Sequence, residues 1–268
     1  MALIKVKIPL LVSFTFILAF LGIMPLVKNL LYPNTKTVYL TIKLSQGFWW
    51  VIASEPQSWY LSQIKPESKI YSLTGKPIAE VISINYYPAS KEGRFIGYKT
   101  YVNLKVQTTY NPKTHTYYFK RNKLLVGAPI ELTFPQFTLS ATIVSISTNP
   151  PKPQFLTKTI TLTKKFSYPW ECQAIKIGDS MSDGQQTIFQ VIDKSCSPTK
   201  AIFPDTYGNI TANTLLPLTY ITIKAKILVQ SKNNQLIFAQ EYPLTTNSTL
   251  PIITPQYNYS DAFISSIE

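Results

Sequence analysis

Lys36-Thr37-Val38-Tyr39-Leu40-Thr41-Ile42-Lys43-Leu44 and Lys158-Thr159-Ile160-Thr161-Leu162-Thr163-Lys164-Lys165-Phe166 decide the fold between them. Each alternates apolar and polar residues with the period of two that a half-buried strand needs. The second reads as a copy of the first, and the correspondence continues in order. Trp59 with Ile64-Lys65 matches Trp170 with Ile175-Lys176, and Ile78–Ile82 matches Ile188–Ile192. Thr100–Lys105 matches Thr219–Lys224, Pro135-Gln136-Phe137 matches Pro255-Gln256-Tyr257, and Ile143–Ile146 matches Ile264–Ile267. The separation drifts between 110 and 122 residues, as small loop insertions make it drift. An ordered set of matches at one spacing is the signature of internal duplication.

The repeat predicts two similar domains, 34–147 and 156–268, joined by a proline-rich linker at 148–155. Pro150, Pro151 and Pro153 stiffen that stretch and cannot donate to a sheet ladder. The first copy carries an insertion around Gly47-Phe48-Trp49-Trp50. Turn signals break each copy into short segments: Leu73-Thr74-Gly75, Glu92-Gly93, Asn111-Pro112, Ser182-Asp183-Gly184 and Asn233-Asn234. About six or seven strands per copy fit a small β-barrel or a β-sandwich, and the pattern does not choose between them. Composition points the same way. Ile, Val, Thr, Tyr and Phe suit a pleated surface, and the 20 prolines leave little room for long helices. The expected fold class is all-β.

Ahead of the repeat, residues 8–27 read IPLLVSFTFILAFLGIMPLV, twenty positions without a charge. At helical rise such a stretch spans about 30 Å, the thickness of a bilayer's hydrocarbon core. A cleaved signal peptide has a shorter apolar region and a small-x-small site, and Met24-Pro25-Leu26-Val27-Lys28 offers none. The expectation is an uncleaved transmembrane signal-anchor. Lys5 and Lys7 hold residues 1–7 in the cytoplasm, so everything beyond the anchor is extracytoplasmic, a single-pass placement in the cell membrane.

The chain of 268 residues carries 26 basic and 13 acidic side chains, a net charge of +13. With Lys5, Lys7 and Lys28 assigned to topology, the remainder still carries +10. That excess suits a polyanion such as an anionic envelope polymer or lipid headgroups, or simply a solvated lysine-rich surface. No cluster of four or more basic residues occurs, so nucleic acid is not an expected partner.

The residues that could carry chemistry are few. His115 is the only histidine and lies between two tyrosine-rich strands; a nucleophile–histidine pair would need a nearby Ser, Cys or carboxylate and a catalytic zinc several ligands, so a surface-loop residue is expected. Asp179 with Asp183, and Asp193 with Asp205, are the carboxylates with suggestive spacing. Asp179 and Asp183 flank a Gly-containing turn, where Asp hydrogen-bonds its own backbone. The stretch is too short to supply a calcium loop. No catalytic residue, metal site or cofactor is therefore expected. Cys172 and Cys196, the only cysteines, both fall outside the membrane. They read either as a disulfide, permitted by an oxidising compartment, or as two free thiols. Phe48, Trp49, Trp50, Trp59 and Tyr60 are the best interaction surface, since Trp and Tyr anchor interfaces and membrane boundaries. The competing reading has these rings filling the first domain's core. The Asn-x-Ser/Thr triplets at Asn209, Asn247 and Asn258 arise easily in such a composition and carry no weight.

The stretch Ile175-Lys176-Ile177-Gly178-Asp179 runs on to the strand Ile188–Ile192, and Val126-Gly127-Ala128-Pro129-Ile130 runs on to Ile143–Ile146. This pattern resembles an uncharacterised bacterial family, classed under a domain of unknown function, that sets one N-terminal transmembrane helix before a β domain. The resemblance covers most of residues 30–268 and implies architecture without an activity. Ile177-Gly178-Asp179-Ser180-Met181 is also similar, more weakly, to the opening turn of mammalian-cell-entry (MCE) domains, which implies handling of envelope lipid. The functional expectation is a non-enzymatic envelope scaffold or binding module, whose oligomeric state the sequence leaves open. The alternative is an MCE-like carrier of lipid or anionic polymer.

Overall fold

Alternation becomes antiparallel sheet throughout. The structure is a computed structural model that describes residues 35–45, 55–91, 94–204, 207 and 210–268. In the first unit β1 (Thr35–Leu44) is followed by a one-turn helix α1 (Ser58–Leu61), β2 (Lys69–Tyr71), β3 (Pro77–Lys91) and β4 (Arg94–Asn111). Next come β5 (Thr116–Phe119), β6 (Asn122–Lys123), β7 (Pro129–Thr133) and β8 (Thr138–Ser147). The second unit holds β9 (Phe155–Ser167), α2 (Pro169–Ala174), β10 (Ser180–Ser182), β11 (Thr187–Pro204) and β12 (Ile210–Lys232). It ends with β13 (Gln235–Phe238), β14 (Tyr242–Pro243) and β15 (Phe263–Ile267). The protein is all-β, with an eight-stranded and a seven-stranded sheet. The expected anchor at 8–27 and the residues Phe48, Trp49, Trp50, Asp205 and Asn209 lie outside the described residues. Among the described residues no helix is long and apolar enough to cross a membrane.

The two sheets are wired alike. The opening strand pairs with the long fourth strand on one side and with the last strand on the other: β1 with β4 and β8, β9 with β12 and β15. β3 bulges after Val81 and β11 bulges after Val191. Leu40 sits between Leu104 and Ile146, while Ile160 sits between Ala225 and Ile267. These ladders make Ile160 the counterpart of Leu40, and Lys164 the counterpart of Leu44. Matching by sequence pairs Leu40 with Leu162 instead, two residues too far. The cause is physical: side chains alternate with period two, so a two-residue slip leaves every one on its own face.

One backbone device recurs four times, and the Gly-Asp motif is one instance of it. A residue with positive φ donates its N–H to a strand carbonyl, and the next residue's carbonyl accepts that strand residue's N–H. Gly178 and Asp179 clasp Val191 in this way at 2.9 Å in both directions. Glu67 and Ser68 clasp Val81, Gly127 and Ala128 clasp Ile143, and Asn247 and Ser248 clasp Ile264. The φ values are 94° at Gly178, 85° at Gly127, 67° at Glu67 and 61° at Asn247. Gly and Asn tolerate this region, and Glu67 is the one that strains.

The units are packed on one another. The far end of the β3–β4 hairpin inserts Tyr87 and Tyr101 into the second unit's core, where they are 3% and 2% exposed. Tyr86 N–H donates to the Asp183 carbonyl at 2.9 Å, and Asn85 Nδ2 donates to Asp183 Oδ2 at 3.0 Å. Lys43, Lys99 and Tyr101 all donate to the Glu241 carboxylate. Burial works against its charge, but those three hydrogen bonds win and lower the Glu241 pKa to about 2. At Gly184 (φ 92°) an added Cβ would lie 2.3 Å from the Tyr86 ring, so only glycine fits that seam.

Candidate binding site

The second unit holds a charged cluster where the first holds a hydrophobic one. In the first unit, buried Leu44 ends β1, Tyr60 is the third residue of α1, and Phe137 closes the turn before β8. Their positional counterparts are Lys164 on β9, Glu171 as third residue of α2, and Tyr257. Phe134 N–H donates to the Phe137 carbonyl at 2.8 Å, and Thr254 N–H to the Tyr257 carbonyl at 2.9 Å, so the turns also correspond. Leu139 and Ala141 are two apart, whereas Tyr259 and Ala262 are three apart, so the second unit has one more residue in the segment that holds Asp261.

Lys164 Nζ donates to Glu171 Oε2, to Asp261 Oδ2 at 2.7 Å and to the Tyr257 hydroxyl at 3.0 Å. The Tyr257 hydroxyl donates to Glu171 Oε2, and Tyr168 N–H donates to Glu171 Oε1 at 3.0 Å. Burial opposes the charge on Lys164, but the bonds to Asp261, Glu171 and Tyr257 outweigh it and raise its pKa. Burial likewise opposes ionisation of Glu171, and the bonds from Lys164, Tyr257 and the Tyr168 backbone lower its pKa. Burial, reinforced by Glu171, pushes the Tyr257 phenol up to about 12. All three shifts fix the ionic state that the hydrogen bonds need.

The cluster forms the floor of an open cleft of about 630 Å³, walled by Trp170, Tyr242, Pro251 and Ser260. Trp170 is 62% exposed, although it lies on a helix held at three points. A disulfide ties Cys172 to Cys196 on β11, with 6.5 Å between their Cα atoms. Lys194 Nζ donates to the carbonyls of Cys172 (2.7 Å) and Ile175, satisfying groups that a helix end leaves open. Glu171 itself bonds back to the Tyr168 N–H. A large aromatic ring is thus presented to solvent on a rigid mount.

The remaining sequence-derived residues fall elsewhere. Trp59, the counterpart of Trp170, is 67% exposed, and Tyr60 packs partly against the first core with its hydroxyl bonded to the Thr138 carbonyl. Asp183 Oδ1 accepts from Gln185 and Gln186 N–H at 2.9 Å, and Asp179 Oδ2 accepts from Lys176 N–H at 2.9 Å and Tyr259 at 3.0 Å. Both carboxylates build turns. Asp193 Oδ1 accepts from the Lys194 N–H, and exposed His115 meets Tyr110 at 2.9 Å. Among the described residues no three His, Cys, Asp or Glu side chains gather as metal ligands. Sequence reasoning passed over Lys164, yet a signal was present: Ile160, Leu162 and Lys164 share one face of β9, so a lysine stands in the core-facing row.

Compared with protein-family models, with curated proteins and with solved structures, the chain matches none of them.

Proposed function

We propose that this chain is a non-enzymatic binding module of the bacterial cell envelope, built from two copies of one β unit and held at the membrane by residues 8–27. In this reading the copies have diverged: the first keeps an apolar trio at Leu44, Tyr60 and Phe137 and serves as a platform. The second has exchanged it for Lys164, Glu171 and Tyr257 beneath Trp170, and presents a binding cleft. That exchange at equivalent positions is the observation that carries the proposal. A ligand suited to the cleft is an envelope glycan, whose sugar face stacks on an exposed aromatic ring and whose hydroxyls meet the polar lining at Asp261 and Ser260. The chain's positive charge steers a glycan that bears anionic groups toward it.

The directions of the pKa shifts support binding over catalysis. A general acid or base works best with a pKa near the operating pH. Glu171 is moved away from neutrality on the acid side, Lys164 and Tyr257 on the basic side. The interiors of both units are filled by large side chains, among them Phe189, Phe238 and Tyr259 in the second and Leu40, Leu104 and Leu139 in the first. This favours a surface site over a lipid carried inside a unit. The Gly-Asp turn that resembles the opening turn of MCE domains serves as a strand clasp here, which favours a role in the fold over a role in carrying cargo. The test is retention of the purified full chain on cell-wall polysaccharide. Binding that is lost in Trp170→Ala supports the proposal, whereas hydrolysis of the polysaccharide, or retention untouched by the substitution, contradicts it.

A further inference from the structure

The groove that the first unit fills on the second has an open equivalent on the first. On the second unit, the turn 183–186 and the turn 239–242 receive Asn85, Tyr87, Lys99 and Tyr101. Their counterparts on the first unit are the turn Ser72–Lys76 and the turn Lys120–Lys123. Ser72 N–H bonds the Lys76 carbonyl just as Asp183 N–H bonds that of Gln186. Lys120 and Arg121 have positive φ just as Ala239 and Gln240 do. Between the first-unit turns lies a cleft of about 760 Å³, whose lining includes Thr35, Lys76, Gln107, Thr109 and Lys120 and contains no acidic residue.

The chemistry of the two turn pairs has been inverted. Where the second unit has Ala239-Gln240-Glu241-Tyr242, the first has Lys120-Arg121-Asn122-Lys123, and buried Asp183 is replaced by Ser72. Lys36 adds its charge nearby, with Nζ 4.2 Å from the centre of the Tyr110 ring. Leu73 stands fully exposed at the tip of the first turn, beside Lys76. A fully exposed leucine among lysines is the composition of a surface that meets a lipid interface, with the apolar side chain entering and the cations at headgroup level.

The chain's path identifies the occupant. Thr35 lines the groove and is the first residue of β1. Only residues 28–34 separate it from the apolar segment that ends at Val27, a tether of about 25 Å at full extension. β1 runs away from this end toward Lys43 at the seam with the second unit. We infer that this end of the first unit docks on the anionic headgroups of the membrane that holds the chain, through Lys76, Lys120, Arg121 and Lys123, with Leu73 inserted. The inference rests on the anchored reading above.

The test uses the full chain with Leu73→Cys carrying a fluorophore, in vesicles of phosphatidylcholine with and without phosphatidylglycerol and containing headgroup-quencher lipid. Strong quenching that requires phosphatidylglycerol is expected. It should fall on the order of tenfold in Lys76→Glu/Lys120→Glu, since each lysine near an anionic surface contributes comparably. Equal quenching in neutral and anionic vesicles, or none in a chain that resists carbonate extraction, overturns the docking. Extraction by carbonate overturns the anchored reading instead, and the extracted chain added to anionic vesicles then tests the groove alone, where lack of quenching overturns it. Concentration-dependent protection of the fluorophore in detergent without lipid also overturns it, by assigning the groove to a second copy.

Discussion

Lys164 shows how much one position can change. A lysine in a core-facing row is tolerated because Glu171, Asp261 and Tyr257 saturate its three donors. Removing one partner leaves the others charged and half-buried, so Glu171→Ala should lower stability by about 1–3 kcal/mol in thermal unfolding. The sign of the pH effect follows from the lowered Glu171 pKa. Its contribution is complete above the ordinary carboxylate range and is lost as pH falls through and below that range. Ser167 makes the opposite prediction. Its hydroxyl is fully buried and, among the described residues, is the one buried side-chain polar atom left without a partner. Ser167→Ala should therefore be neutral or stabilising by roughly 1 kcal/mol, and a clear loss on thermal unfolding would show that the hydroxyl has a partner.

At the scale of elements, α2 is a six-residue helix that would not persist unaided. The Cys172–Cys196 bond closes a separation of 24 residues, and its removal in Cys172→Ser/Cys196→Ser should cost about 3 kcal/mol in the chain-entropy picture. Hydrogen exchange in 169–175 should rise with it, whereas unchanged exchange would mean that Lys194 and Glu171 suffice to hold the helix. Strands and their repetition were legible because alternation and β-branched composition are local properties. The register between copies was not, because a two-residue slip preserves every face. Nor was the docking of the β3–β4 hairpin, since Tyr87 and Tyr101 alternate as any strand aromatics do, and only the tertiary structure shows whose core they enter.

For the whole molecule, the seam between the units governs how the cleft is carried. Glu241 holds Lys43, Lys99 and Tyr101 of the first unit, and its pKa falls from an ordinary value of about 4.5 to about 2. The seam is thus fully stabilised above about pH 4.5, and it should loosen as pH falls between about 4.5 and 2, seen as rising exchange at Tyr87 and Tyr101. The most direct test of a binding cleft in the second unit is to convert it to the first unit's chemistry. Lys164→Leu/Glu171→Tyr/Tyr257→Phe restores the apolar trio, and glycan binding is measured on the full chain together with its thermal unfolding. Retained folding with binding lost is the expected result; retained folding with binding unchanged would place the site elsewhere.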